Sequence, residues 1–180
     1  MIVAFTPNES TILKEAARVI TERCIGIENR SQMDQSKTQA ELDEIGLLGE
    51  YALAKVLGLP LEACGMMLKG IKMDDGYDIR LNNGKTVQVK AVQQKVSNTS
   101  HPFKFALDCD NANNFKADYG VLSLVQPDKW SVKLAGYVDR KDFIERHEIL
   151  DLGSGPRAGM YSYNLRLISQ FLQTETRLAA

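Results

Sequence analysis

Two short alternating segments on either side of a glycine-containing loop constrain this 180-residue chain more than any other feature. Residues 77–81 alternate apolar with other side chains, and residues 86–92 resume the alternation after Asn82-Asn83-Gly84. A period of two is typical of a strand with one buried face. Because both apolar rows must face one core, the pattern predicts a β-hairpin and limits its register.

The length of the loop selects that register. A two-residue loop at Asn83-Gly84 would pair Ile79 with Gln88 and mix apolar and polar residues on both faces. A three-residue loop, Asn82-Asn83-Gly84 with its glycine in the left-handed conformation, pairs Ile79 with Val87. The three-residue loop is therefore predicted, because it keeps the apolar row continuous.

The same register predicts which polar groups meet. It pairs Tyr77 with Val89 in the core and sets Asp78 opposite Gln88 on the other face, with β-carbons roughly 5 Å apart. Lys90 follows two residues along on that face. A carboxylate, an amide and an ammonium group are thus expected to converge, although a hairpin with one solvated polar face is an equally ordinary outcome.

A fourth polar group is predicted on the second helix of the chain. The helical neighbours of Glu50 form an apolar stripe: Gly46, Leu47, Leu53, Ala54 and Leu57. An ionised carboxylate on such a stripe must be protonated, paired or placed beside a cation. Gly46 and Gly49 weaken the helix, which suggests a close approach to a neighbouring element such as the polar face of the hairpin. Pairing of Glu50 with Lys55 or Lys90 is the alternative.

Local signals divide the rest of the chain into elements. Two capping-box patterns, Thr6-Pro7-Asn8-Glu9 and Thr38-Gln39-Ala40-Glu41, predict a first helix to about Ile25 and a second one that Gly58 and Pro60 close. Five strands are predicted by alternation: Tyr77–Leu81, Thr86–Val92, Phe103–Leu107, Tyr119–Val125 and Ser131–Val138. Further predictions are a short helix within Asn111–Ala117, a helix from Asp139 to about His147, a loop over Gly153–Pro156 and a last helix over Leu165–Leu172.

These elements predict one α/β domain over residues 1–180, with a central mixed sheet of about five strands flanked by helices. Its parts are an N-terminal helix and loop (1–37), a core (38–147) and a C-terminal loop and helix (148–180). No linker long enough to separate two domains is found in the sequence.

Composition narrows the class of protein. The net charge of −1 argues against a protein that coats nucleic acid by bulk charge, yet residues 79–107 contain five basic residues and no acidic one. Three widely spaced cysteines, Cys24, Cys64 and Cys109, indicate neither a disulfide framework nor a zinc site and are read as buried apolar groups. The sequence shows no membrane span or signal peptide, so a cytoplasmic protein is expected.

Three short motifs resemble those of the PD-(D/E)xK, or restriction-endonuclease-like, nuclease superfamily. They are Gly49-Glu50 on the helix, Gly76-Tyr77-Asp78 on the first strand and Gln88-Val89-Lys90 on the second. The resemblance covers about residues 40–147 and implies an αβββαβ core with an extra N-terminal helix, similar to many phage and bacterial members. Gln88 replaces the second motif acid, and Tyr77 stands where a proline usually precedes the aspartate.

The resemblance implies a Mg²⁺-dependent endodeoxyribonuclease, with Mn²⁺ as a substitute metal. Its metal ligands would be Asp78, the Gln88 amide oxygen, the Val89 carbonyl and, through a water molecule, Glu50. Lys90 would position the attacking water and offset charge on the phosphate. Loss of the motif acid at Gln88 implies weaker metal binding and one ion rather than two.

The partner implied by the resemblance is DNA, with RNA not distinguished from it by the residues themselves, and a homodimer is expected for cutting two strands. The candidates for contacts with backbone phosphates are Lys85, Lys95 and Lys104. Two alternatives stay open. A catalytically inactive relative would bind nucleic acid or a partner protein, which the glutamine at Gln88 favours, and a structural or assembly protein without a nucleic-acid partner fits the near-neutral charge.

Overall fold

The structure, a computed structural model, describes residues 1–23, 37–64, 76–94, 102–107, 109–152 and 155–178. Its described part contains four α-helices and two β-sheets. The helices are α1 (Pro7–Arg23), α2 (Gln39–Val56), α3 (Arg140–Arg146) and α4 (Ile168–Leu178). The strands are β1 (Ile2–Ala4), β2 (Ile79–Arg80), β3 (Thr86–Gln93), β4 (Lys104–Ala106), β5 (Tyr119–Gln126), β6 (Ser131–Asp139), β7 (Glu148–Asp151) and β8 (Pro156–Tyr161).

Both predicted capping boxes begin helices. The Thr6 backbone N–H donates to Glu9 Oε2 at 2.8 Å, and the Glu9 N–H donates to Thr6 Oγ1 at 3.2 Å. Thr38 and Glu41 exchange the same pair of bonds at 2.7 and 3.3 Å. Each box satisfies N–H groups that a helix start leaves without an intrahelical acceptor. The predicted end of the first helix, near Ile25, lies outside the described residues.

A five-stranded mixed sheet forms the centre of the fold, in the order β1-β6-β5-β3-β2. Strands β3 and β5 run parallel, and the other neighbours are antiparallel. The α/β class and a five-stranded mixed sheet are as predicted, but the membership of the sheet is not. The predicted strand over Phe103–Leu107 shortens to β4 and leaves this sheet, while β1 takes an edge of it.

Strand β4 belongs to a second sheet of three antiparallel strands, in the order β4-β8-β7. The predicted loop over Gly153–Pro156 was wrong at its end, because β8 already begins at Pro156. The prediction overlooked β7 because its apolar pattern is weak: Leu150 is buried, whereas Ile149 is 57% exposed.

The last helix begins later than predicted. Arg166 forms an isolated bridge with Tyr137, in which each backbone N–H donates to the other residue's carbonyl, at 2.8 and 3.0 Å. These bonds hold the chain extended at Arg166, so α4 starts at Ile168 and runs on to Leu178. The predicted short helix before β5 is a single 3₁₀ turn, Ala112–Asn114.

The central sheet separates two apolar cores. The first core lies between the sheet and helices α1, α2 and α4, and includes Leu13, Leu53, Val89, Val121 and Phe171. The second core lies between the central sheet and β4, β8 and α3, where Phe105, Phe115 and Phe143 pack edge to face at centroid distances of 5.0–5.8 Å. Cys64 is buried in the first core as predicted, Cys109 is half-buried beside the second, and Cys24 lies outside the described residues.

Strand β6 contains a bulge at Ala135. Leu122 pairs with Gly136, but Ser123 pairs with Leu134, so Ala135 has no partner across the ladder. The extra residue shifts the alternation of side chains.

In the part of the chain that is described, no helix has an apolar stretch long enough to cross a bilayer.

Candidate functional site

The hairpin loop has the predicted form. Gly84 has a positive φ of 84°, Ile79 pairs with Val87, and Arg80 pairs with Thr86. The predicted three-residue loop and its register are thus confirmed. Helix α4 holds the loop in place, because Asn83 Nδ2 donates to Glu175 Oε2 at 2.6 Å.

The other end of the hairpin departs from the prediction at Asp78. Its backbone N–H donates to the Val87 carbonyl at 2.8 Å, and its Oδ2 accepts the Val89 N–H at 2.6 Å. The carboxylate therefore takes the place that the backbone of Tyr77 would occupy beside Val89. For this reason β2 begins only at Ile79 and is two residues long. The predicted pairing of Tyr77 with Val89 is wrong. Tyr77 instead packs against the second core, and its hydroxyl accepts a bond from Arg80 at 2.9 Å.

This contact gathers oxygen atoms at one edge of β3. The N–H and C=O of a strand residue point to the same side, and successive residues alternate sides. The Val87 carbonyl and the Val89 N–H both meet Asp78, whereas the Gln94 N–H donates to Val125 of β5. The carbonyl of Val89 consequently points to the edge where the Asp78 carboxylate lies.

Gln88 and Lys90 share one face of β3. They pair with Gly120 and Leu122 of β5, and Leu122 belongs to the second core. Both side chains are half-buried. Their face is therefore the one that looks toward β4, where the ring of Phe105 packs so close to Gly120 that a Cβ there would lie 2.4 Å from Phe105 Cζ.

Helix α2 packs on the opposite face of β3. A Cβ added at Gly49 would lie 2.7 Å from Ala91 Cβ, so the predicted close approach is confirmed at this glycine, but it is made to the apolar face of β3 and not to the polar face that was predicted. It is wrong for Gly46, where an added Cβ would meet nothing within 4 Å. Glu50 follows the contact directly and is half-buried.

The position of Lys55 shows which way Glu50 points. Lys55 Nζ reaches the Ala4 carbonyl of β1 at 3.0 Å and forms an ion pair with Glu9 at 2.7 Å. Five residues separate Glu50 from Lys55, which is about 140° around a helix. Glu50 therefore lies on the flank of α2 toward β3 and away from β1.

The structure thus brings Asp78 against the backbone between Gln88 and Lys90, and brings Gly49, the residue before Glu50, against Ala91. The helix and the Gln88 side chain approach β3 from opposite faces rather than from one. Groups on opposite faces of a sheet can meet only at the edge of a strand. Strand β2 covers the edge of β3 only at Thr86 and Val87, and the contact of Asp78 with Val89 lies just past that point, on the same edge. Among the described histidines, cysteines, aspartates and glutamates, no three side chains form a metal-binding group.

Of the three lysines predicted to contact phosphates, Lys85 and Lys104 are described, and they have different neighbours. Lys85 Nζ donates to the Tyr119 hydroxyl at 2.6 Å, and this bond raises the pKa of the Lys85 ammonium. Lys104 lies on β4, with its Nζ 5.4 Å from the ring centroid of Tyr161. Lys95 lies outside the described residues.

Sequence reasoning overlooked one aromatic pair. Tyr161 and Tyr163 stack with ring centroids 5.3 Å apart and planes 6° apart. The only signal for them in the sequence is the Tyr-Ser-Tyr spacing after an alternating segment.

No protein-family model, curated protein or solved structure matches this chain.

Proposed function

We propose that the chain is a divalent-metal-dependent endonuclease that hydrolyses DNA phosphodiester bonds, a PD-(D/E)xK nuclease with glutamine at the second motif position. The observation that carries the proposal is the hydrogen bond from the Val89 N–H to Asp78 Oδ2. It joins the first motif residue to the Gln88-Val89-Lys90 motif.

The order of elements α2-β2-β3-β5-β6-α3 supports a restriction-endonuclease-like core as the finer description of the fold. The parallel pair β3 and β5 lies at the centre of that core. There are two departures from the αβββαβ order. Four strands of the central sheet, rather than three, come between α2 and α3, and β7, which follows α3, joins the second sheet instead of the central one.

The oxygen donors at the β3 edge fit Mg²⁺, which prefers carboxylate and carbonyl ligands and retains several waters. A carboxylate offers about four lone-pair directions, so Asp78 can accept the Val89 N–H and still ligate a metal. The Val89 carbonyl and the Gln88 amide add neutral oxygens. A set with this little negative charge favours a single, weakly held ion.

Each residue has a distinct role in the proposed reaction. When bound, Mg²⁺ polarises the scissile phosphodiester and makes water more acidic. Glu50 accepts a hydrogen bond from a water at the edge of β3 and orients it. Lys90 positions the attacking water and offsets the negative charge that grows on the phosphate.

The proposal is tested with supercoiled plasmid DNA and Mg²⁺ or Mn²⁺, with a chelator as the blank. We expect nicked or linear products that disappear in Asp78→Ala and Lys90→Ala. The exposed turn residue Asp128 provides the matched control, and Asp128→Asn should cut at the wild-type rate.

Gln88→Glu is the sharpest variant because it restores the motif acid. We expect it to lower the Mg²⁺ concentration for half-maximal cutting by on the order of tenfold, about 1.4 kcal/mol. Absence of cleavage by both the wild type and Gln88→Glu with every metal would overturn the endonuclease.

The glutamine at Gln88 also favours a second candidate, a catalytically inactive relative that binds nucleic acid or a partner protein. Mobility shifts without cleavage would support that candidate. We also propose a homodimer, because cutting both strands calls for two sites. Light scattering at the concentrations used for cleavage measures this.

A further inference from the structure

The molecular surface carries a group that we call the tyrosine platform: Tyr163, which is exposed, and Tyr161 and Lys104, which are half-buried. Among the described residues, neither tyrosine ring belongs to a core or packs against one. Tyr163 is 68% exposed although one face of its ring lies on Tyr161. Its other face is therefore open to solvent.

The backbone on both sides of the platform is held in place. Tyr161 ends β8 and pairs with Lys104 of β4, and the Ser162 N–H donates to the Phe103 carbonyl at 2.7 Å. Residues Ser162–Asn164 then form a 3₁₀ turn that leads into the Arg166 bridge to Tyr137. Binding to a surface fixed in this way loses little conformational entropy.

The charge beside the rings comes from Lys104. Its Nζ lies over the Tyr161 ring, 5.4 Å from the centroid. The nearby Arg166 is neutralised by ion pairs with Asp139 and Asp142. The open ring face of Tyr163, together with a cation over the neighbouring Tyr161 ring, complements a nucleotide strand, which joins planar bases through phosphates.

We propose that the tyrosine platform binds an unpaired base of single-stranded DNA, with the base on the open face of Tyr163 and a phosphate farther along the strand near Lys104. Within a duplex the faces of a base are covered by its neighbours, so an open ring face selects bases that are not stacked in a helix. The platform is distinct from the β3 edge, and its binding needs no catalysis.

The test measures fluorescence anisotropy of a labelled oligothymidylate and of a labelled duplex of equal length, in chelator so that no cleavage occurs. We expect the wild type to bind the single strand more tightly than the duplex. Tyr163→Ala should weaken single-strand binding about 5- to 100-fold, the range for loss of one stacked base. Tyr163→Phe should keep the affinity, because it keeps the ring.

Further variants separate stacking from other contacts. Tyr163→Leu keeps an apolar side chain without a ring and should lose affinity like Tyr163→Ala. Lys104→Ala should reduce the slope of log affinity against log salt by about 0.7, the value for one phosphate of a single strand. Leu167→Ala is the control for an exposed apolar side chain, since Leu167 is 67% exposed, and it should bind as the wild type does.

Equal binding by Tyr163→Ala and wild type would overturn the platform, as would full affinity in Tyr163→Leu. Because Tyr163 is exposed, circular dichroism should show that these variants fold. If the wild type cuts duplex DNA but does not bind single strands more tightly than duplex, only the proposal of base binding at the tyrosine platform is overturned. A wild type that binds oligothymidylate and never cuts overturns only the endonuclease.

Discussion

At the scale of single residues, the carboxylate of Glu9 joins the start of α1 to helix α2. It accepts the Thr6 N–H at the start of α1, an ion pair from Lys55 of α2 at 2.7 Å and the Tyr51 hydroxyl at 3.3 Å. The hydrogen bond from Lys55, followed by that from the Thr6 backbone, lowers the pKa of Glu9 from its ordinary 4.5 to about 2. Its charge is therefore bound more favourably in the folded chain than in the unfolded one.

Replacing Glu9 by glutamine should remove the part of the free energy of unfolding that depends on the ionisation of this carboxylate. A lowered folded-state pKa stabilises the fold fully above about pH 4.5, and this contribution is lost as the pH falls toward 2. We expect Glu9→Gln to cost about 1 kcal/mol at pH 7, allowing for solvent screening, and the gap to close between pH 4.5 and 2. Urea unfolding at pH 7, 4.5 and 2.5 measures it, with the exposed Glu148→Gln as control. A gap that does not change with pH would contradict the assignment.

The hydrogen bond of Asp78 also shows how far sequence reasoning could reach at a single residue. Alternation predicted the register at Ile79 and Val87, which the structure confirms. It could not predict that β2 does not extend back past Ile79 to Asp78 and Tyr77. The alternation of side chains assumes that only backbone groups form the hydrogen bonds between two strands. An aspartate side chain competes for the same N–H groups, and that competition is decided by geometry in three dimensions.

Helix α2 and strand β3 form the closest contact between elements at the candidate site. Gly49 lies against Ala91 and Ser123, and the Ser123 hydroxyl donates to the Gly49 carbonyl at 3.3 Å. The absence of a side chain at Gly49 is what lets Glu50 come near the residues after Lys90.

Two glycines one turn apart provide a matched pair for this contact. Gly49→Ala must push α2 from β3, because its Cβ would lie 2.7 Å from Ala91 Cβ, and should cost about 1–3 kcal/mol. Gly46→Ala meets nothing within 4 Å and should stabilise the helix by about 0.5–1 kcal/mol. Thermal unfolding of both variants is the measurement. Effects of the same sign would show that helix propensity, not the approach to β3, decides the outcome.

Elements with strong local signals were predictable, and those held by partners distant in sequence were not. Both capping boxes start helices, and Asp139 caps α3 by accepting the Asp142 N–H at 2.9 Å. Strand β1 has only three residues, and its hydrogen-bond partners lie about 130 positions away in β6. A strand this short owes its existence to the neighbour that it pairs with, so its own residues carry little signal. The same applies to β4, whose sequence predicts a strand but not which sheet it joins.

At the scale of the whole molecule, both cores pack against the same central sheet, so we expect them to unfold together. Strands β3 and β5 place alternate residues in each core, for example Val121 in the first and Leu122 in the second. Trp130, the only tryptophan of the chain, packs against the first core. Its fluorescence therefore reports on the core that does not contain the three phenylalanines.

A cavity made in the second core should also lower the unfolding midpoint that is measured by a probe in the first core. Phe143→Ala is expected to cost about 3–5 kcal/mol. Because the central sheet is common to both cores, the urea midpoint followed by Trp130 fluorescence should fall together with the midpoint from circular dichroism. Tyr163→Ala, which alters an exposed ring, should move neither midpoint. An unchanged Trp130 midpoint in Phe143→Ala would mean that the cores unfold independently.

Because Ala135 is an extra, unpaired residue, the positions of β6 that face the first core are even-numbered before it and odd-numbered after it. Ahead of it Leu134 faces the first core, and behind it Tyr137 faces that core while Val138 faces the second. Loss of Ala135 alone would close the bulge, because Leu134 and Gly136 would become neighbours while keeping Ser123 and Leu122 as partners, and Tyr137 would still face Phe171. Evolution is thus freer to change the number of residues at this point than anywhere else along the paired part of β6, where one deletion would turn every following side chain to the other face.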